Sequence, residues 1–302
     1  MQPFAERRAR VEQKLYRTEP GVQVVVETER PAGTALGDIV LVHGLEGSAR
    51  SSYMLSVAAR ATAAGYAAHR LNLRGCGGTE HLAKTGYHGG MTSDLLAVVR
   101  ELAREGRRPV WLVGFSLGGN LVAKLAGELG GDAGPLIAGV CAASAAIDLG
   151  ACARRIGEPD NRFYEKRFLR LMGARARTVW GATPADLRGI RTVIEMDDRI
   201  TAPKFGFTGA EEYYGTQSAN QFLGRIRVPT LFITAKDDTF IPFEIYNHAA
   251  FGQNPCLQLF AAEYGGHLGF LAKASPRLWL DHAIIKWVAE HGTIHPPDSS
   301  GY

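Results

Sequence analysis

An α/β architecture, with a mostly parallel central sheet flanked by helices, is the fold class this sequence predicts, and three observations carry it. From residue 21 to about 146, short β-branched apolar runs alternate with longer helical patterns, the rhythm of successive βαβ units. A glycine-framed serine, Gly114-Phe115-Ser116-Leu117-Gly118, falls between an apolar run and a helical one. Between Ala142 and Thr230 more than 80 residues read as helical and arginine-rich, too long for a structureless loop in a compact domain. At 302 residues the chain is near the upper limit for one hydrophobic core, so one domain carrying an insertion is expected.

The elements follow in order. Val22 to Glu27 and Asp38 to Val42 read as strands, Ser52 to Ala64 as a helix, and Ala67 to Leu71 as a strand followed by a glycine-rich loop through Gly90. Thr92 to Glu105 has helical periodicity. Val110 to Val113 is wholly apolar and bounded by turn signals, as a strand buried on both faces should be, and Leu117 to Leu129 continues as helix. Leu136 to Ala142, Thr230 to Thr234 and Cys256 to Phe260 are the later strands, and a closing helix runs from about Pro276 to Glu290. The expected organisation is an N-terminal part of the core over 1–147, a helical cap insertion over 148–226, the C-terminal part of the core over 227–292, and a disordered Pro/Ser/Gly-rich tail over 293–302.

Composition narrows the function classes. With 46% hydrophobic and 21% charged residues the chain has the balance of an ordinary globular protein. Lys+Arg at 34 against Asp+Glu at 30 leaves a net charge of +4 without any long basic run, so nucleic acid is not an expected partner. The basic stretches Glu6 to Arg10 and Arg154 to Arg177 read as solvated helix faces. No secretory signal and no apolar stretch of bilayer-spanning length is seen, and Cys76, Cys141, Cys152 and Cys256 are scattered as reduced thiols would be; a cytoplasmic protein is expected.

The chemistry concentrates at four places. Directly after a strand and before a helix, the G-x-S-x-G turn forces Ser116 into a sharp elbow that lifts its hydroxyl clear of the sheet, and Gly114 and Gly118 let strand and helix pass closely. A developing oxyanion there meets the helix N-terminus, with Leu117 supplying one backbone N–H. The second donor is expected from His43-Gly44-Leu45-Glu46-Gly47, where Leu45 is the choice and His43 a structural hydrogen-bonder. Chain order then requires an acid and after it a histidine. Asp237 and Asp238 compete for the acid; Asp238, which stands four positions before Pro242, is favoured. His267, 29 residues further on and framed by Gly265, Gly266 and Gly269, is the candidate base. The chain lacks H-E-x-x-H and clustered Cys/His, and Gly75-Cys76-Gly77-Gly78 lacks both G-x-G-x-x-G spacing and a P-loop lysine, so no metal and no cofactor is expected.

These residues resemble the YheT-like branch of the α/β-hydrolases, the abhydrolase-domain esterases and lipases. The likeness runs through HGLEGS (His43 to Ser48), NLRGCGG (Asn72 to Gly78), YHGG (Tyr87 to Gly90), GFSLGGN (Gly114 to Asn120) and GGHLGF (Gly265 to Phe270). It continues across the end of the insertion at Asp197, Gly206-Phe207, Glu212-Tyr213-Tyr214, Ser218, Ile226, Pro229, Leu231, Ile233 and Asp237-Asp238. The resemblance implies an α/β-hydrolase fold with a helical cap, a triad of Ser116, Asp238 and His267, and hydrolysis of carboxylic esters, including lipid-like ones. No anchor segment precedes the match, which favours a small soluble or dispersed ester over a phospholipid. Phe207, Tyr213 and Tyr214 are candidates to line the pocket or to pack the cap onto the sheet. Other chemistry open to the same residues is acyl transfer or thioester hydrolysis, and a binding protein that keeps the fold is the remaining alternative.

Overall fold

The computed structural model describes residues 11–107, 109–273 and 275–292; the tail over 293–302 and the basic stretch at Glu6 to Arg10 lie outside the described residues. Eight strands form one sheet: β1 (Glu12–Glu19), β2 (Val22–Glu29), β3 (Asp38–Val42), β4 (Ala67–Leu71), β5 (Val110–Phe115), β6 (Ile137–Ala143), β7 (Thr230–Ala235) and β8 (Leu257–Ala262), in the order β1-β2-β4-β3-β5-β6-β7-β8. β1 and β2 pair antiparallel, β2 pairs antiparallel with β4, and every pairing from β4 through β3 to β8 is parallel.

Alternation along the central strands divides the core between the two faces. Val40, Val42 and Leu112 join one apolar cluster with α2 (Ser93–Arg104) and α3 (Leu117–Leu129), while Ile39, Leu41, Val113 and Phe115 join the other with α1 (Ser52–Ala63) and the closing helix. β3, β5 and β7 are buried at every position, which is why they read in the sequence as mostly apolar runs.

Sequence reasoning misses β1. Only Tyr16 of its eight residues is buried, so the strand carries no clear alternation. The available signal was Pro20-Gly21: Glu19 pairs with Val22 across them, and Gly21 has φ +76°, as the third position of a type II turn demands. Charge ties this edge to the body. Arg70 of β4 is buried between Glu27 (3.2 Å) and Glu29 (2.7 Å), and Arg74 pairs with Asp94 (2.6 Å) and with Glu19.

Between β6 and β7 the chain is helical: α4 (Leu149–Ile156), α5 (Arg162–Trp180), α6 (Val193–Met196), a π-helical turn at Asp197–Thr201, α7 (Ala202–Lys204) and α8 (Ala210–Gln217). Asp148 caps α4 by accepting from Ala151 N at 2.9 Å, and Thr192 and Glu195 form a capping box on α6. α9 (Ala250–Gln253) precedes β8, and α10 (Trp279–Gly292) closes the described chain. α10 starts later than the sequence suggests because Leu271 and Leu278 pair as an antiparallel bridge first. Among the described residues no helix is long and apolar enough to cross a membrane.

Candidate active site

β5 delivers the chain to Ser116, and α3 leaves from it. Ser116 has φ +55° and ψ −116°, a conformation that costs a non-glycine residue on the order of 1–3 kcal/mol and persists only where the surroundings impose it. They do so here. Ser116 N donates to Ala143 O at 2.9 Å, and Ser116 O accepts from Gly119 N at 3.0 Å and Ala146 N at 3.2 Å. A Cβ on Gly114 would come within 2.2 Å of Gly118 O, and one on Gly118 within 2.2 Å of Val42 O, so the crossing admits only glycine at both.

The candidate base and acid are brought together. His267 Nδ1 lies 3.0 Å from both carboxylate oxygens of Asp238, whose Oδ1 also accepts from Phe240 N (2.9 Å) and Ile241 N (3.1 Å). Asp237 does a different job: its Oδ1 accepts from Gly265 N and Gly266 N, both at 2.8 Å, and so ties the end of β7 to the loop that carries His267. Phe240 packs edge-on against the imidazole, with ring centroids 4.7 Å apart. Among the described residues no hydrogen bond joins Ser116 to His267. Such bonds are often long in an empty site and shorten when substrate binds.

The loop after β3 is shaped around one amide. Gly44 N donates to the Tyr53 hydroxyl at 3.0 Å and Glu46 N donates to the Tyr87 hydroxyl at 3.0 Å, while Leu45 N between them has no hydrogen-bond partner among the described residues. Leu117 N, at the start of α3, likewise has none. A Cβ on Gly44 would stand 3.1 Å from Ser116 Cβ, so this loop runs beside the serine. Glu46 adopts φ +53° and forms a buried ion pair with Arg175 of α5 at 2.7 Å. The Arg175 guanidinium also covers the Tyr87 ring at 4.4 Å. Tyr53, Tyr87 and Arg175 were not singled out for roles from the sequence, because their partners lie 9, 41 and 129 residues away.

His43 is a structural hydrogen-bonder. It is fully buried, which depresses it to about 4 despite a bond to Gly44 O, so the ring is neutral. Leu73 N donates to its Nε2 at 3.1 Å, so Nδ1 carries the proton and donates to Gly44 O at 2.8 Å.

Ser116, Leu117 and Leu45 line a pocket with a cavity of about 70 Å³. α4 and α5 contribute further lining, largely through apolar side chains such as Leu149, Ile156, Phe168 and Met172. Tyr213 and Tyr214 line it with their rings, since both hydroxyls are occupied: that of Tyr213 accepts from Gly89 N at 2.7 Å, and that of Tyr214 donates to Asp197 Oδ2 at 2.7 Å. Phe207 stands behind them, stacked on Tyr213 at 5.5 Å, and is not part of the lining. Asp197, on the π-helical turn, also faces the pocket; burial pushes its carboxyl up to about 6, against the hydrogen bonds from Tyr214 and Thr201. His88, among the rings of Phe205, Phe207 and Tyr213, is pushed down to about 3 by burial and by the Lys124 and Arg74 charges.

A serine elbow at the carboxyl end of a parallel strand, an aspartate after a later strand and a histidine after the last are arranged as in the α/β-hydrolases, and the family model for the alpha/beta hydrolase fold matches residues 39–274. The chain belongs to that family. Its place within the family is the YheT-like branch: YheT of Escherichia coli (strain K12) is 35% identical, over 84% of this chain and 76% of that protein. Phospholipase ABHD3 of Mus musculus is 30% identical over 84% of this chain, which spans only 64% of that longer protein. Among solved structures, the Pyrococcus furiosus esterase Pf2001 superposes with a TM-score of 0.63 over 93% of each chain at 15% identity, a likeness of fold alone.

Proposed function

We propose that this chain is a serine esterase that cleaves carboxylic esters through Ser116, His267 and Asp238. The observation that carries the reading is a serine held at positive φ in the pocket lining beside the free amides of Leu45 and Leu117, while the Asp238-anchored His267 packs on Phe240, which lines the same pocket. In this mechanism Ser116 Oγ attacks the ester carbonyl while His267 Nε2 takes its proton. Asp238 holds the ring through Nδ1 and stabilises the imidazolium. The oxyanion is bound by the two amides, the alcohol leaves with the proton returned from His267, and water then releases the acid from the acyl-enzyme by the same steps in reverse.

The apolar pocket walls favour an aliphatic or aromatic acyl group, and the esterase and lipase names of relatives point to the same class of substrate. Release of 4-nitrophenol from acetate, butyrate, octanoate and palmitate esters tests the reading. The wild type is expected to turn over part of the series, with the chain-length profile reporting pocket depth, and Ser116→Ala to lose that activity. Equal rates in both, or none in either folded protein, would move the assignment to acyl transfer or to binding.

A further inference from the structure

α5 presents two different faces. Phe168, Met172 and Arg175 point inward and line the pocket, whereas Arg162, Lys166, Arg167, Arg170 and Arg177 are all exposed on the outer side. Among the described residues none of these five cations makes an ion pair. The one acid of the helix, Glu165, is buried and accepts from Val193 N at 3.1 Å, and nearby Asp160 is neutralised by Arg155 at 2.7 Å. Beside the cations stands Phe163, 77% exposed, with Tyr164 at 44%. Phe163 leaves most of its ring in solvent, and a basic helix face carrying exposed aromatics has the composition of an interfacial surface.

The aromatics also lead inward. Phe163 contacts Tyr164 (5.8 Å between centroids), Tyr164 contacts Phe240 (4.9 Å), and Phe240 lines the pocket and touches His267 (4.7 Å). We infer that the outer face of α5 docks this protein on an anionic lipid surface, with Phe163 inserted among the acyl chains and the cations against the headgroups, so that the helix forming the pocket wall lies on the layer from which an apolar ester is drawn. The use of the docked state rests on the esterase reading; the docking itself does not. Charge complementarity decides for anionic lipid over a neutral surface, and the exposed phenylalanine decides for lipid over a soluble polyanion.

Cosedimentation of the full chain with large vesicles tests this, using Ser116→Ala protein so that no hydrolysis intervenes. Vesicles of phosphatidylcholine alone are compared with vesicles containing about 30 mol% phosphatidylglycerol, at low and high salt. Binding to the anionic vesicles is expected to be at least about tenfold tighter and to weaken with salt, since each cation near such a surface contributes about fivefold. Lys166→Glu/Arg167→Glu/Arg170→Glu should weaken it by more than about a hundredfold. Phe163→Ser should weaken it by roughly tenfold. Circular dichroism of both variants controls for folding. Equal affinity for neutral vesicles, no binding to either, or retention of anionic binding by the folded triple variant would each overturn the proposal. So would binding to heparin that equals vesicle binding and ignores Phe163→Ser, which would mark a polyanion site. Loss of esterase activity in the wild type would leave all these readings intact.

Discussion

Replacing Tyr87 by phenylalanine removes one oxygen, the acceptor for Glu46 N at 3.0 Å, and keeps the buried ring that Arg175 covers. Leaving that part-buried N–H without a partner should cost about 1–2 kcal/mol of stability. For a chain of this size that is a fall in Tm of roughly 2–3 °C. The larger effect falls on turnover. Loss of one oxyanion donor costs about a hundredfold to a thousandfold in kcat. Here the loop is still held by Tyr53 on Gly44 N and by the turn bond from Gly47 N to Gly44 O at 3.0 Å, so the Leu45 amide drifts rather than leaves. A fall of about tenfold to a hundredfold in kcat is therefore expected, with KM changed by less than about twofold because the pocket wall is intact. The assay is steady-state release of 4-nitrophenol from the best ester of the series, with thermal unfolding alongside. The reasoning is refuted if Tm falls as stated while kcat does not move, since Tyr87 would then support the fold without positioning the amide.

The two adjacent aspartates separate by their losses. Asp238→Asn places an amide against His267 Nδ1 and favours the wrong tautomer, with kcat expected to fall about 10⁴-fold, whereas Asp237→Ala removes two amide contacts at an exposed site and should lower kcat less than tenfold; the reverse pattern would exchange their roles. The pH dependence of stability offers a separate check at Asp197. Its carboxyl is raised from an ordinary 3.8 to about 6 in the fold, so the folded state holds the proton more tightly. This contribution is present below about pH 4 and is lost as pH rises through 6, with a limit of about 3 kcal/mol. Asp197→Asn, whose side-chain oxygen can still accept from Tyr214, should flatten the decline of Tm between pH 4 and 7, and superimposable profiles would contradict the assignment of that burial cost.

Local backbone chemistry was the most legible part of this molecule. Strands β3, β5 and β7 announce themselves because burial on both faces leaves mostly apolar residues, and the elbow at Ser116 because two glycines must stand where any Cβ would meet a carbonyl at 2.2 Å. The pairing of His267 with Asp238 was legible through chain order and the spacing to Pro242, and Asp237 is seen instead to hold the histidine loop. Edge strand β1 was not legible, since a solvated edge imposes no apolar pattern. The Tyr53 and Tyr87 clamps and the Glu46–Arg175 pair were out of reach for another reason: each exists only once distant segments meet, and nothing local at Tyr87 or Arg175 differs from an ordinary buried aromatic or a surface cation. Residue type left Phe207 open between lining the pocket and packing the cap, and it is seen stacked on Tyr213.

The central claim is that Ser116 is a nucleophile activated by His267. Incubation of the purified chain with a fluorophosphonate, followed by intact-mass and peptide mass spectrometry, tests it most directly. One adduct per chain, located on Ser116, absent from Ser116→Ala and formed at least about a hundredfold more slowly in His267→Ala, is the expected result. A folded wild-type chain that takes up no label, or that takes it up at another residue, would contradict the account.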